Sequence, residues 1–265
     1  MPAVAETTSS RYETGVATHR GKVRQENEDS HLVLAANGVF AVADGMGGHE
    51  AGALASSVVT KSLQSIGCPA SASDLLARLE DRVLRANMRL KTIARERGGI
   101  VLGATLAALL IYDQHYACVW SGDSRIYRLR GSEIAQLSRD HTEVQELIDG
   151  GVLTPADARA WPRRNVITRA IGVHDDPELE LEHGVLETGD VFVLCSDGLT
   201  NYVEDREIRD CMSHNRCQNA CDALVAMTLD RGAADNVTVL AVRYRGPDLA
   251  EAPSVADEAV SGNLP

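Results

Sequence analysis

The fold class is decided by residues 105–137, which read TLAALLIYDQHYACVWSGDSRIYRLRGSEIAQL. Apolar stretches of strand length alternate here with short polar turns, as in antiparallel hairpins. The turns fall at Asp113 and Gly131. Four strands are predicted: Thr105–Ile111, His115–Ser121, Arg125–Arg130 and Glu133–Leu137.

On either side of this segment, further strands and helices are predicted in separate runs. Further strands are predicted at Tyr12–Thr18, His31–Ala35, Gly38–Ala43, Glu178–Val185, Asp190–Cys195 and Asn236–Tyr244. Helices are predicted at His49–Ile66, Ser73–Arg97, Asp205–Cys211 and Asn219–Asp230. The second helix carries apolar residues at helical spacing: Leu75, Leu76, Leu79, Val83, Met88 and Leu90. This order predicts an α+β domain in which antiparallel sheets pack between helices.

Residues 138–172 are more polar and interrupt the strand pattern, so we predict a surface excursion from the sheet with two short helices, Thr142–Asp149 and Thr154–Ala160. Its arginines stand out in an acidic protein: Arg139, Arg159, Arg163, Arg164 and Arg169. They either attract phosphorylated segments of a substrate or pair with the excursion's own acids. Those acids are Asp140, Glu143, Glu146, Asp149 and Asp157.

The charge and composition exclude several classes of protein. The formal net charge is −12, which argues against a protein that grips nucleic acid or an anionic membrane surface. Neither a signal peptide nor a spanning segment is evident, so we expect a cytoplasmic protein. Residues 247–265 contain four acids and no Lys or Arg, which predicts a disordered tail. Residues 1–10 form an N-terminal extension, and residues 11–246 form the folded domain.

The six cysteines are scattered along the chain, which is typical of reduced thiols and not of a disulfide framework. Cys211, His214, Cys217 and Cys221 have a spacing that suggests zinc. On one continuous helix, however, the ten steps from first to last would span ~15 Å, too far for one ion. Cys217 and Cys221 are therefore predicted as core residues of the last helix.

Acidic residues recur where apolar strands begin or end. Asp44, Asp123 and Asp197 follow the strands that end near Ala43, Ser121 and Cys195. A fourth, Asp235, immediately precedes the last strand. Each Asp-Gly pair taken alone has a simple alternative explanation as turn chemistry. Several carboxylates on one rim of a sheet would instead offer hard oxygen ligands that suit Mg²⁺ or Mn²⁺.

The loop from Arg20 to Ser30 adds a guanidinium to these acids, with the sequence Arg24-Gln25-Glu26-Asn27-Glu28-Asp29. An arginine fork binds phosphate oxygens in a bidentate manner, and acids can orient water from outside a metal's ligand set. The alternative is a solvated charged loop held by local ion pairs.

In this order, the motifs resemble the metal-dependent Ser/Thr protein phosphatases of type 2C, the PPM family, in their compact bacterial form. The resemblance covers about Tyr12 to Arg245. The matching segments are Arg24–Asp29, Val42–His49, Ser121–Arg125, Arg164–Gly172, Cys195–Leu199 and Asp235–Thr238. It implies two packed antiparallel β-sheets flanked by helices, an α-β-β-α sandwich, with the excursion at about 138–172 as the family's flap.

The resemblance also implies a role for each matching residue. Asp44 would bridge two metal ions, the Gly45 carbonyl would bind one, and Asp197 with Asp235 would bind the other. A third ion would lie between Asp123 and Asp197. Arg24 would hold the substrate phosphate, and Glu28 and Asp29 would act through water. The implied reaction is hydrolysis of phosphoserine and phosphothreonine by a metal-activated water that attacks phosphorus in line, with two or three Mn²⁺ or Mg²⁺ ions.

The proton donor for the leaving alkoxide is left open by the sequence. His49 is one candidate and a metal-bound water is the other, while His49 has an alternative explanation as a helix-start residue. The implied partners are phosphorylated proteins, including a Ser/Thr kinase and its targets, and we expect a monomer. Two alternatives remain: a non-catalytic binding protein, which would lack metal acids, and a phosphatase of the same fold for small phosphate esters or for a different phosphoamino acid.

Overall fold

The structure is a computed structural model that describes residues 11–47, 50–158 and 160–246. His49, Arg159, the predicted N-terminal extension and the predicted tail lie outside the described residues. The strands are β1 (Tyr12–His19), β2 (Asp29–Leu34), β3 (Val39–Met46), β4 (Gly103–Ala104), β5 (Leu106–Tyr112), β6 (His115–Ser121), β7 (Arg125–Arg130), β8 (Glu133–Gln136), β9 (Glu180–Val185), β10 (Val191–Cys195) and β11 (Val237–Tyr244). The helices are α1 (Glu50–Gln64), α2 (Ala72–Glu96), α3 (Glu143–Asp149), α4 (Pro155–Ala158), α5 (Asp197–Thr200), α6 (Asp205–His214) and α7 (Cys217–Asp230), with a 3₁₀ turn at Ala35–Asn37.

The strands form two antiparallel sheets. One sheet has the order β1-β11-β10-β7-β8, and the other has the order β2-β3-β5-β6-β9 with the short β4 beside β3. Every pairing in both sheets is antiparallel. The hairpins predicted from residues 105–137 are therefore confirmed, although the chain passes from one sheet to the other between β6 and β7.

Three apolar layers hold the sheets and helices together. Phe40 and Val42 of β3 pack with Phe192 and Leu194 of β10 between the two sheets. The alternate residues of β3, such as Ala41, face α1 and α2, and those of β10 face α6 and α7. Because both faces of these strands are buried, their sequences are continuously apolar, as expected for doubly covered strands. The α-β-β-α sandwich is thus confirmed.

Helix α2 corrects one detail of the predicted core. Its buried stripe runs through Leu79, Val83, Asn87 and Leu90, whereas Met88 is 52% exposed. A residue one step after Asn87 is turned by about 100° from the stripe, so Met88 faces away from the sheet. Among the described residues, none of the helices is apolar and long enough to cross a bilayer.

The cysteines are all free thiols, and five of the six are at least partly buried. Cys217 and Cys221 pack in the core beneath α7, as predicted. Helix α6 ends at His214 and α7 begins at Cys217, so two separate helices are present, as predicted, and the distance argument against zinc, which held only for one continuous helix, does not apply. Burial raises the pKa of Cys195 to about 12, so this thiol near the acidic rim is a poor nucleophile.

Candidate active site

Five aspartates meet at one end of the sandwich because of the strand directions. Strands β3 and β6 are both antiparallel to β5, so Asp44 and Asp123 come at the same end of that sheet. In the other sheet, β10 ends next to the start of β11, which brings Asp197 beside Asp235. Asp29, the first residue of β2, lies directly opposite Asp44.

The glycines that follow Asp44 and Asp197 permit close approaches of the backbone. A Cβ built on Gly45 would lie 1.9 Å from the carbonyl oxygen of Gly52 in α1. A Cβ built on Gly198 would lie 1.8 Å from the carbonyl oxygen of Asn236. These Asp-Gly pairs are therefore not simple turn chemistry, because each glycine brings another element against the acidic rim. Asp44 and Gly45 also continue β3 instead of ending it, contrary to the predicted break.

The loop before β2 is held in place by Asn236. Its side-chain amide donates to the carbonyl oxygens of Arg20 and Glu26, and its oxygen accepts the Glu28 N–H at 2.7 Å. The Arg24 guanidinium donates to Asp235 Oδ2 at 2.7 Å. The loop is thus tied to the last strand and directed towards the aspartates, and it is more than a solvated surface loop.

The electrostatics of this cluster are unfavourable for the carboxylates alone. Burial raises the pKa of Asp29 to about 7, and repulsion from Asp197 and Asp235 adds to the effect. The pKa of Asp44 is raised well above its ordinary value by burial and then by repulsion from its neighbours, first of all Asp29. Burial, with repulsion from Asp235, raises the pKa of Asp197 to about 6. A positive charge among these groups would relieve this repulsion.

The donor set fits a hard divalent cation. The side chains of the cluster offer carboxylate oxygens as donors, and the buried Asp29 Oδ1 makes no hydrogen bond among the described residues. Across residues 11–47, 50–158 and 160–246, no group of three His, Cys, Asp or Glu side chains has the spacing of a ready metal cage. The arrangement of charge still fits such a cation, because Mg²⁺ and Mn²⁺ sites retain several waters and use few protein ligands.

Asp123 lies outside the strand ladder, in the bend between β6 and β7. Thr105 lines this bend on one side: its hydroxyl hydrogen-bonds with Ser124 at 2.7 Å and accepts the Asp44 N–H at 2.9 Å. Gly122 has φ +107°, and a Cβ built on it would lie 2.6 Å from the Thr105 methyl group. The hydroxyl of Thr105 thus links the Asp44 backbone to the bend that carries Asp123.

A polar cleft leads away from the aspartates between the flap segment, residues 138–172, and the start of α6. Near the aspartates, a pocket of about 240 Å³ is lined by Asp123, Asp197 and residues of α3 and α4. It shares Arg125, Arg164, Thr200 and Asn201 with a larger cleft of about 750 Å³. The two form one continuous depression.

The arginines of the flap segment have different surroundings. Arg139 pairs with Asp149, and Arg163 pairs with Glu143 at 2.8 Å. These two arginines therefore pair with acids of the flap segment itself, which was the second of the two predicted alternatives. Arg169 pairs with Glu178 and Glu180, near the edge strand β9. Arg164 is exposed and lines the cleft.

Most of the predicted site residues therefore meet at one place: Arg24, Glu28, Asp29, Asp44, Gly45, Asp123, Asp197 and Asp235. His49 lies outside the described residues. Four polar residues at or around this site were not singled out from the sequence: Thr105, His141, Asn201 and Asn236. Asn236 directly follows Asp235, and Asn201 Nδ2 donates to Asp197 Oδ2 at 3.1 Å. For Asn236 and Asn201, the position next to, or one helical turn from, an expected ligand was the available signal, whereas Thr105 and His141 had none.

The chain is similar to known proteins of one family. The model of the family "Protein phosphatase 2C" matches residues 17–235. The Ser/Thr protein phosphatase PstP of Mycobacterium tuberculosis is 36% identical over 246 residues, which are 92% of this chain and 47% of that protein. Thus the chain spans about half the length of that relative.

Two further comparisons cover nearly the whole of the chain that is matched, a second relative and the isolated catalytic domain of PstP. The protein phosphatase PhpP of Streptococcus pneumoniae is 33% identical over 244 residues, which are 89% of this chain and 99% of that protein. The crystal structure of the catalytic domain of PstP in complex with two manganese ions superposes with a TM-score of 0.80 at 34% identity. That match covers 88% of this chain and 98% of the other.

Proposed function

This chain belongs to the protein phosphatase 2C family, and we propose that it hydrolyses phosphoserine and phosphothreonine in proteins with the help of Mn²⁺ or Mg²⁺. The observation that carries the proposal is the meeting of Asp29, Asp44, Asp123, Asp197 and Asp235 at one rim, beside Arg24. A phosphate monoester dianion and five carboxylates repel one another, so this site needs divalent cations before it can bind substrate.

The metal ligands we propose are Asp44, the Gly45 carbonyl, Asp197 and Asp235, with Asp123 at a further site beside Asp197. When bound, the ions supply positive charge for the phosphoryl oxygens and a hydroxide nucleophile at neutral pH. Support comes from the raised pKa values of Asp44 and Asp197, since both result from burial and from repulsion between carboxylates.

Arg24 is proposed to orient the substrate phosphate. Its side chain is 51% exposed while it contacts Asp235, so the guanidinium has free surface facing the solvent. Hydrogen bonding with Asp235 raises the pKa of Arg24, and the charges of Glu28 and Asp44 add to this effect, so it stays protonated. A planar fork of N–H donors suits two phosphoryl oxygens at once.

Glu28 and Asp29 are proposed to hold water at the site. Burial raises the pKa of Glu28. Asp29 accepts a hydrogen bond from the Ser196 hydroxyl at 2.8 Å through Oδ2, and Oδ1 remains for water. His49, as a donor of the leaving-group proton, stays a prediction.

The size of the cleft supports a peptide substrate over a small phosphate ester. A phosphoryl group alone needs only the space around the aspartates, whereas the adjoining cleft offers about 750 Å³. Its walls are polar and carry Arg125, Arg164 and Arg206 together with Glu204 and Asp205. Such a groove offers backbone and side-chain contacts to residues that flank a phosphoserine.

Phosphorylated proteins, including a Ser/Thr kinase and its targets, are the partners we propose, with the protein acting as a monomer in the cytoplasm. The support is chemical: phosphoserine in proteins requires an opposing kinase, and free thiols are typical of a reducing compartment.

The test is hydrolysis of a phosphoserine peptide and of an aryl phosphate with and without Mn²⁺. We expect turnover of both in Mn²⁺ and none in a chelator. Asp44→Asn should abolish turnover, since Asp44 is a proposed metal ligand that four other aspartates surround. Asp113→Asn is the matched control, because Asp113 is exposed in a hairpin turn at φ 55°, where Asn is well tolerated. Full turnover by the metal-stripped protein would refute the proposal, and binding of phosphopeptides without turnover would identify a non-catalytic binding protein.

A further inference from the structure

His141 lies at the start of the flap segment and is buried, with 5% of its surface exposed. It lies five residues after the end of β8 at Gln136 and directly before the N-cap of α3, Thr142. Its side chain and backbone contact the bend that carries Asp123, the returning part of the flap and, through Glu180, the edge strand β9.

The first contact is a two-point clamp on Gly122. The Gly122 N–H donates to His141 Nδ1 at 3.1 Å, and the His141 N–H donates to the Gly122 carbonyl oxygen at 3.0 Å. Gly122 precedes Asp123 in a bend that no strand ladder fixes. The position of the Asp123 carboxylate therefore depends on this clamp and on Thr105 across the bend.

The imidazole ring is held in one orientation. Because Nδ1 accepts a hydrogen bond, the proton of the neutral ring is on Nε2, which faces Glu180 Oε1 at 3.2 Å. Arg169 donates to the same oxygen at 2.7 Å. The ring also stacks on Trp120, with 6.3 Å between ring centres.

The flap returns to the same residue. The Thr168 N–H donates to the His141 carbonyl oxygen at 2.8 Å, and Thr142 pairs with Ile167 in a short bridge. The outgoing and returning parts of the flap are therefore joined at His141. A displacement of the flap base would displace Gly122, and with it Asp123.

We propose that His141 is a positioning residue that couples the flap to Asp123, so that cation binding at Asp123 and the use of peptide substrates change together. This inference rests on the proposed function, because it takes Asp123 to be a ligand of the weakest-bound ion. If His141 only filled space, its substitution would affect stability, and loss of the contact with Gly122 would have the same effect as loss of the contact with Glu180.

Three substitutions separate these contacts. His141→Asn keeps an acceptor near the position of Nδ1 for the Gly122 N–H and loses the contact with Glu180. His141→Gln reaches towards Glu180 and leaves the Gly122 N–H without its acceptor. His141→Phe keeps a ring against Trp120 and loses both contacts. His183→Phe, at an exposed position on β9, is the control for a histidine-to-phenylalanine change.

The experiment measures Mn²⁺ binding to the full chain by calorimetry, and kcat/KM for a phosphoserine peptide and an aryl phosphate. We expect His141→Gln and His141→Phe to weaken the weakest Mn²⁺ binding step by roughly 10–100-fold, as for other groups that orient a metal ligand. The same two variants should lose more activity on the peptide than on the aryl phosphate. His141→Asn should recover most of both losses, and His183→Phe should match the wild type.

Two results would overturn the inference. One is a wild-type Mn²⁺ isotherm in His141→Gln; the other is an equal loss in the Asn and Gln variants, which would indicate packing alone. If His141→Phe does not fold, the Asn and Gln pair still decides. Failure of the proposed function is seen separately, as a wild-type protein that hydrolyses no phosphopeptide, while the Mn²⁺ isotherms still test the role of His141.

Discussion

Asp29 and Asp44 face each other as partners in the β2–β3 ladder, and both carboxyl groups lie at the acidic rim. Burial is the main reason that the pKa values of both aspartates are raised, and electrostatic repulsion from other aspartates raises them further. The folded protein therefore keeps an electrostatic cost at this rim, which cation binding or protonation would remove.

The stability of the metal-free protein should fall as the pH rises. The pKa of Asp29 is about 7 in the folded protein against 3.8 for an ordinary Asp. The folded state thus holds a proton that the unfolded chain has lost, and this stabilisation is full below pH 3.8 and is lost as the pH rises through about 7. The slope is at most about 1.4 kcal/mol per pH unit for one group.

Thermal unfolding in a chelator at several pH values between 5 and 8 measures this effect. Asp29→Asn should flatten the decline in Tm, and Asp113→Asn should leave it unchanged. Mn²⁺ should raise the Tm most at pH 8, where the carboxylates are charged. A decline of the same steepness in Asp29→Asn would show that Asp29 is not the group responsible.

Arg24→Ala should raise KM for phosphopeptides. A hydrogen bond to a charged group contributes about 1.5–3 kcal/mol, which corresponds to roughly a tenfold increase or more. The loss in kcat should be smaller, since the guanidinium is expected to contact the phosphate in both ground and transition states. Steady-state kinetics with Arg20→Ala as the control checks this; an unchanged kcat/KM would mean that Arg24 serves only its ion pair with Asp235.

Asp123→Ala should lower turnover while leaving the ions proposed at Asp44 in place. Asp123 is held in a bend and is proposed for a single further ion, so that ion should be the most easily removed. A Mn²⁺ titration of binding and of rate measures both effects in one series. Wild-type rates at every Mn²⁺ concentration would argue that no ion at Asp123 takes part.

Arg164→Ala should lower kcat/KM for phosphopeptides several-fold and leave hydrolysis of an aryl phosphate nearly unchanged, because Arg164 lines the cleft beyond the aspartates. Arg163→Ala is the matched neighbour, since Arg163 pairs with Glu143 inside the flap segment. Equal losses on both substrates would indicate a structural role for Arg164. If neither substrate were affected, the flap would have no support as a selector of protein substrates.

Strand positions could be predicted closely because periodicity and apolar runs record burial along the chain. Strands β6 and β7 have the predicted bounds, and α2 begins one residue before its predicted start. The N-cap of α2 is Ser71, whose hydroxyl accepts the Asp74 N–H, two residues before the predicted start of the helix at Ser73. Met88 was misplaced because a list of apolar residues does not give the width of the stripe that the sheet covers.

The contacts that organise the site could not be predicted from local pattern. Arg24 and Asp235 are 211 positions apart, and Asn236 holds a loop more than 200 positions earlier in the chain. Nothing in the residues around His141 indicates that its ring accepts a hydrogen bond from Gly122, 19 positions away. Such pairs depend on how two sheets and a flap come together.

The sequence by itself determined the strands, the position of an aspartate at the end of each key strand, and the arginine in the preceding loop. These features follow from local burial and from the chemistry of the residue types. Only the tertiary structure decided that Asp29 lies opposite Asp44, that Arg24 contacts Asp235 and that His141 clamps Gly122. The physical reason is that strand pairing and sheet packing bring distant residues within hydrogen-bond distance, and periodicity along one strand carries no information about the partner it will meet.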